Sequence, residues 1–163
     1  MIVKYDAVIG IDPDRYKSGI GVLDVKSRQL DIGNAEFPEL IEKLKETRIM
    51  IPNSLVVVEA GWMVKKSNYH DAQGHRAEKI AKDVGANHET GRKIVEMCKY
   101  YGINVIEQHP LPKMWKGLDG KITHDELVAV TGLKKKHSNQ DARDAGLLAW
   151  VCAGLPIRVN PKR

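Results

Sequence analysis

The chain has only two cysteines, Cys98 and Cys152, both in helix-like apolar contexts. Its opening, MIVKYDAVIGID, lacks a charged segment followed by a long apolar stretch, so no export signal is expected. The thiols are then expected to be reduced and buried rather than bridged, in a cytoplasmic protein. No run approaches the roughly 18 apolar residues of a membrane span, so no membrane partner is expected. Internal repeats, low-complexity tracts and linkers rich in Pro, Gly and Ser are also missing. With 163 residues, this predicts one domain spanning 1–163. A GxxxxGK[ST] phosphate loop is absent. His70, His75 and His88 are too irregularly spaced for zinc, and no Cys–His spacing of the zinc type occurs.

Charge is nearly balanced, with 26 Lys and Arg against 21 Asp and Glu, a net charge of +5. That permits a nucleic-acid partner without requiring one. The distribution is more informative: Lys113, Lys116, Lys121, Lys134, Lys135 and Lys136 all fall between Lys113 and His137. Such a run is an ordinary solvated surface unless it borders a catalytic site.

Hydrophobic patterning predicts an α/β protein. AVIGID, GIGVLDV and QLDIGNAEF are three closely spaced strands, which predicts an antiparallel meander. PELIEKLKET reads as a helix with Leu40, Ile41 and Leu44 on one face and Pro38 near its start. SLVVVEA is apolar on both faces, as a central strand covered on both sides would be. A loop over 61–75 leads to a long helical stretch ending near Tyr101, which Gly85 is expected to break. INVIEQ is a fifth strand. Short helical pieces are expected at Pro112–Lys116 and Thr123–Thr131, the second opening on a Thr-x-x-Glu capping box. A last helix runs from about Asn139 to Ala153. Strands followed by strand–helix alternation predict a mixed sheet with helices on its faces.

Acidic residues stand where burial makes them costly. Asp12 ends the first apolar strand, and Glu59 ends the most apolar one. Asp141 and Asp144 lie three apart at the start of the last helix and so share a face. Each has an ordinary alternative: a turn aspartate before Pro13, a solvated strand end, or acids favouring a helix N-terminus. Taken together they suggest a converging set whose repulsion a divalent cation relieves. All-oxygen ligands suit Mg²⁺ or Mn²⁺. Lys134, Lys135 and Lys136 directly precede the acidic helix and are expected to flank this set and contact phosphates. Trp115 and Trp150 read as core.

Four segments together resemble the RuvC family of Holliday-junction resolvases. IGIDPDRYKSGIGVLD resembles that family's opening strand pair, and VVVEAGW its strand ending in a catalytic Glu. GANHETGRKIVEMCKYYGINVIEQHP resembles the helix and strand that follow. NQDARDAGLLAW, the most specific of the four, resembles the closing helix with its acids three apart. The resemblance implies an RNase H-like mixed five-stranded sheet flanked by helices. It also implies a Mg²⁺-dependent endonuclease resolving four-way DNA junctions by two-metal hydrolysis, with Asp12 bridging the ions and Glu59, Asp141 and Asp144 completing their shells. Products would carry a 5′-phosphate. An aromatic at the position of Trp62 implies stacking at the junction centre, with Lys65 and Lys66 holding phosphates. Two symmetric cuts imply a homodimer, with the helical stretch from about Arg76 to Tyr101 as its interface.

Two departures stand out. Asp14 replaces a family Gly, so the first loop is expected to take another shape. A family lysine before the penultimate helix is replaced by histidine near His124, leaving Lys116, Lys121 or His124 to stabilise the scissile phosphate. Competing readings are another nuclease of this fold, such as a YqgF-like RNA-processing enzyme, and a non-catalytic nucleic-acid-binding module. Actin-like and sugar-kinase ATPases open similarly but need two such domains and a longer chain.

Overall fold

The structure is a computed structural model that describes residues 4–64 and 74–158. Five strands form one sheet in the order β3-β2-β1-β4-β5: β1 Ala7–Asp12, β2 Ser18–Asp24, β3 Gln29–Ala35, β4 Ser54–Glu59 and β5 Val105–Gln108. β1, β2 and β3 form an antiparallel meander, and β4 and β5 add in parallel beside β1. This is the expected mixed sheet, with β1 at its centre.

Alternation along the strands sends side chains to two separate cores. Ile9 and Ile11 of β1 and Val56 and Val58 of β4 face one side. There they pack on Leu40 and Leu44 of α1 (Phe37–Met50) and on Ile94, Val95 and Cys98 of α2 (His75–Tyr100). Val8, Leu23, Leu55 and Val57 face the other side, against Leu148, Ala149 and Trp150 of α4 (Gln140–Cys152). Leu127 of α3 (His124–Thr131) extends that layer together with Ile32, Ala142 and Leu147. Trp150 is buried, and its indole N–H donates to the Pro156 carbonyl at 2.9 Å. Both cysteines are free, and burial pushes the Cys98 thiol up to about 12.

Three local expectations change. Gly85 does not interrupt α2, because one glycine costs a helix only about 1 kcal/mol and the flanking turns continue through it. Pro112–Lys116 is not helical. Pro110 and Pro112 supply no backbone N–H, and proline also disfavours helix at the residue before it. The segment instead closes on itself: Trp115 N–H donates to the Gly120 carbonyl and Gly117 N–H to that of Lys121, both at 2.9 Å. The loop after β4 opens with a three-ten turn over Gly61–Met63. The capping box of α3 forms as the sequence predicts, with Thr123 and Glu126 bonding reciprocally.

Candidate active site

Sheet register brings the first two acids together. β1 and β4 run parallel with Ile11 opposite Val58, so the next residues, Asp12 and Glu59, end neighbouring strands side by side. Both belong to the alternating set that faces α4. Asp12 also pairs across β2 with Gly19.

The second pair arrives on α4, which lies close to the sheet because β1 and β2 present glycines to it. A Cβ on Gly10 would stand 2.1 Å from the Ala145 carbonyl oxygen, and one on Gly19 would stand 2.0 Å from that of Asp141. Any side chain at either position would lift the helix. Asn139 caps the helix by accepting the Ala142 N–H at 2.9 Å, which fixes where its first turn begins. Asp141 and Asp144 then extend from that turn toward the ends of β1 and β4.

The electrostatics match this convergence. Burial, reinforced by Glu59, Asp141 and Asp144, holds Asp12 well above the usual carboxylate range. Burial and then Asp144 raise Glu59. Burial and then Asp14 raise Asp141, and burial raises Asp144. Four partly buried carboxylates thus share one region with too little positive charge to balance them.

Two lysines supply part of that balance. Lys121 Nζ lies 3.8 Å from Asp144 Oδ2 and lowers all four acids, opposing their burial. Lys113 acts in the same direction on Glu59. Both line a recess of about 100 Å³ with Asp12, Glu59, Asp144 and Trp115. Lys113 had been visible only as one member of a basic run. Its place in the site follows from the 113–121 loop closing back on itself, which periodicity does not reveal. Asp144 is held from its other side by Gln140, whose amide donates to Oδ1 at 2.7 Å and to the Ile122 carbonyl at 3.1 Å.

Of the three candidates for the replaced lysine, Lys121 alone makes an ion pair with the carboxylates. His124 is tied through Nδ1 to the Ser138 hydroxyl at 2.7 Å. Lys116 donates its backbone N–H to Glu126, which its charge also stabilises. The lysine trio does not act as a block beside the acids. Lys135 turns to edge strand β3, where its ammonium bonds the Ile32 carbonyl and lies 3.5 Å from Asp31. Lys134 and Lys136 are exposed.

Trp62 is half-buried: it packs partly against the α1–α2 core and also lines a recess of about 160 Å³ with Asp12 and Glu59. Its ring lies over Gly91, where a Cβ would come within 2.4 Å of it. It meets His88 edge-on at 6.2 Å between ring centroids and carries the Arg92 guanidinium 5.5 Å above its centroid. The three-ten turn causes this by folding the chain back onto α2. Lys65 and Lys66 lie outside the described residues.

The donor set fits a hard divalent cation in its chemistry: oxygen ligands only, partly buried, and short of positive charge. Among the described residues, no three acidic or histidine side chains stand close enough to cage an ion as they are placed. Asp144 shows why, since its carboxylate is directed to Gln140 and Lys121. Among the described residues, no helix is long and apolar enough to cross a membrane.

No family model matches the chain, and no curated protein sequence matches it either. Solved structures do. Thermus thermophilus RuvC bound to a Holliday-junction substrate aligns with a TM-score of 0.51 at 18% identity, over 88% of this chain and 89% of that one. The structure of Thermus thermophilus RuvC by itself aligns with a TM-score of 0.51 at 16% identity, over 91% and 97%. At these identities the likeness is one of fold, and the chain has a RuvC-like fold of the RNase H-like α/β class.

Proposed function

We propose that this protein is a divalent-metal-dependent endonuclease that cleaves branched DNA, with four-way junctions as its preferred substrate. The observation that carries this reading is the convergence of Asp12, Glu59, Asp141 and Asp144 from three separate elements onto one partly buried site. A structural role does not account for it, because four carboxylates raised by burial and mutual repulsion cost stability. The preference for a junction rests on the fold shared with a protein that has been solved on a Holliday-junction substrate.

Asp12, Glu59, Asp141 and Asp144 would hold two Mg²⁺ ions, or Mn²⁺ in their place. Bound there, the metal supplies Lewis-acid activation of water and stabilisation of the leaving oxygen. The protein's own groups do the rest. Asp12 and Glu59 are fixed by the ends of two paired strands, so their spacing is set by sheet geometry. Gln140 orients Asp144. Lys121, within 3.8 Å of Asp144, takes the role of the replaced family lysine and meets the charge that develops on the phosphate. Lys113 adds a second cation at the Glu59 side of the recess. Two copies in a C2 dimer would give two symmetric cuts. The first half of α2 leaves room for such a partner, since its buried residues begin only at Gly91.

Cleavage of a panel comprising a four-way junction, a flap, plain duplex and structured RNA, with and without Mg²⁺, tests this reading. Metal-dependent paired nicks in the junction are expected. Preferential cleavage of RNA would favour a YqgF-like activity, and no cleavage of any member would leave only a binding module.

A further inference from the structure

We propose that the loop between β1 and β2 forms a binding site for an unpaired nucleotide next to the cleavage centre, with Tyr16 as its stacking platform. This rests on the nuclease reading and adds a substrate contact to it.

The loop begins one residue after the strand-end carboxylate Asp12 and is closed by Asp14. The Asp14 carboxylate accepts the backbone N–H groups of Tyr16 at 2.8 Å and Lys17 at 3.1 Å, and the Asp14 N–H donates to the Ser18 hydroxyl at 3.1 Å. An Asx turn of this kind fixes a short loop without burying it. The loop is also clamped from outside. Arg15 N–H donates to the Asn87 side chain at 2.8 Å, and the Arg15 guanidinium pairs with Asp83 at 3.2 Å, both on α2.

This doubly held loop projects an aromatic ring into solvent. Tyr16 is 68% exposed. Its ring carries the Arg15 guanidinium on one face, 4.5 Å from the centroid, which orients it and leaves the other face open. The ring is in no core cluster. Beneath it runs an open groove of about 720 Å³, lined by Tyr16, Lys17, Asn139 and Phe37 and by the carboxylates Glu36 and Asp141. The groove therefore connects the ring to the cleavage centre.

Its chemistry favours a nucleotide over a peptide. Stacking on Tyr16 takes any base, Lys17 offers a cation for an adjoining phosphate, and the Asn34–Asn139 pair lines the same groove with amide groups. The Asp14 carboxylate is engaged by two backbone amides, which fixes its place in the loop. A base swung out of its stack beside the cut would enter here, whereas a fully paired duplex would not.

The test uses the full chain carrying Asp144→Asn to prevent cleavage, and branched DNA with 2-aminopurine placed singly at positions flanking the cut. Binding is expected to quench the probe at one or two of those positions. Adding Tyr16→Ala should abolish the quench and weaken binding to the branched DNA by about tenfold, with duplex affinity changed less than about twofold. Tyr16→Phe should restore both. Undiminished quenching with Tyr16→Ala would overturn the proposal, as would an equal loss of affinity for duplex and branched DNA. The nuclease reading fails separately, if the protein with all its carboxylates cuts no member of the substrate panel in Mg²⁺. Protein that binds no DNA at all would overturn both.

Discussion

The α-carbon of Gly19 supports the backbone of Asp141: a Cβ on the glycine would stand 2.0 Å from the aspartate's carbonyl oxygen. Because Gly19 is also the partner of Asp12 across the sheet, this contact sets the separation of two site carboxylates. Gly19→Ala is therefore expected to lift the first turn of α4. Overpacking of this kind costs about 1–3 kcal/mol. Cleavage should fall more than the melting temperature suggests, since Asp141 and Asp144 ride on that turn. Gly85→Ala is the control. A Cβ there meets nothing within 4 Å, in mid-helix, and should stabilise the protein by about 0.5–1 kcal/mol. Thermal melts of both variants, paired with a cleavage assay, read the contrast.

The carboxylates predict an opposition between activity and stability. Asp12→Asn should abolish Mg²⁺-dependent cleavage yet raise the melting temperature of metal-free protein at neutral pH. Asp12 is raised in the folded state, first by burial, so the folded protein holds that proton more tightly than the unfolded chain. Its contribution to stability is then least unfavourable in acid. It worsens as pH climbs from the ordinary carboxylate range through the raised folded value. The melting difference between Asp12→Asn and the native sequence should accordingly widen from roughly pH 4 to neutrality. Mg²⁺ should stabilise the native sequence and not the variant. A difference that is flat with pH, or of opposite sign, would contradict this account of the site.

The lysines are predicted to separate. Lys121→Ala should lower kcat by about 10–1,000-fold with little change in melting, as expected for a group that acts on developing charge. Lys121→Arg should recover part of the loss. Lys135→Ala should leave kcat alone, because its ammonium is engaged by Ile32 and Asp31 on the sheet edge. Removing Lys134 and Lys136 together should reduce the salt dependence of DNA binding by about one to two units of log–log slope. Titrations at several salt concentrations measure it.

Trp62→Ala is predicted to be a stability variant. The ring packs on Gly91 and the α1–α2 core and lies beneath Arg92, so truncation leaves a cavity beside α2. A loss of about 2–3 kcal/mol and a fall of several degrees in melting temperature follow. Cleavage of junctions with paired and with unpaired centres should decline alike. A large selective loss on the paired junction with melting unchanged would instead assign the ring a stacking role.

The sequence by itself determined the parts. Short apolar and β-branched runs marked β1, β2 and β4, and an acid ending an apolar strand at Asp12 and Glu59 was visible as a cost that needed a reason. Two acids three apart at the start of the last helix placed Asp141 and Asp144 on one helical face. All of these signals are local, carried by residues a few positions apart, and a linear reading can weigh them.

The tertiary structure decided the distances and the partners. The purpose of Gly10 and Gly19 emerges only when α4 comes to rest on them. Lys121 was one of three equal candidates until the loop over 113–121 closed on itself and left it alone beside Asp144. Lys135 was drawn away by a strand more than a hundred residues earlier, and Trp62 by a turn that folds it onto α2. Each outcome depends on contacts between segments remote in sequence, and charge or aromaticity along a chain does not say which of several remote partners a flexible side chain will meet.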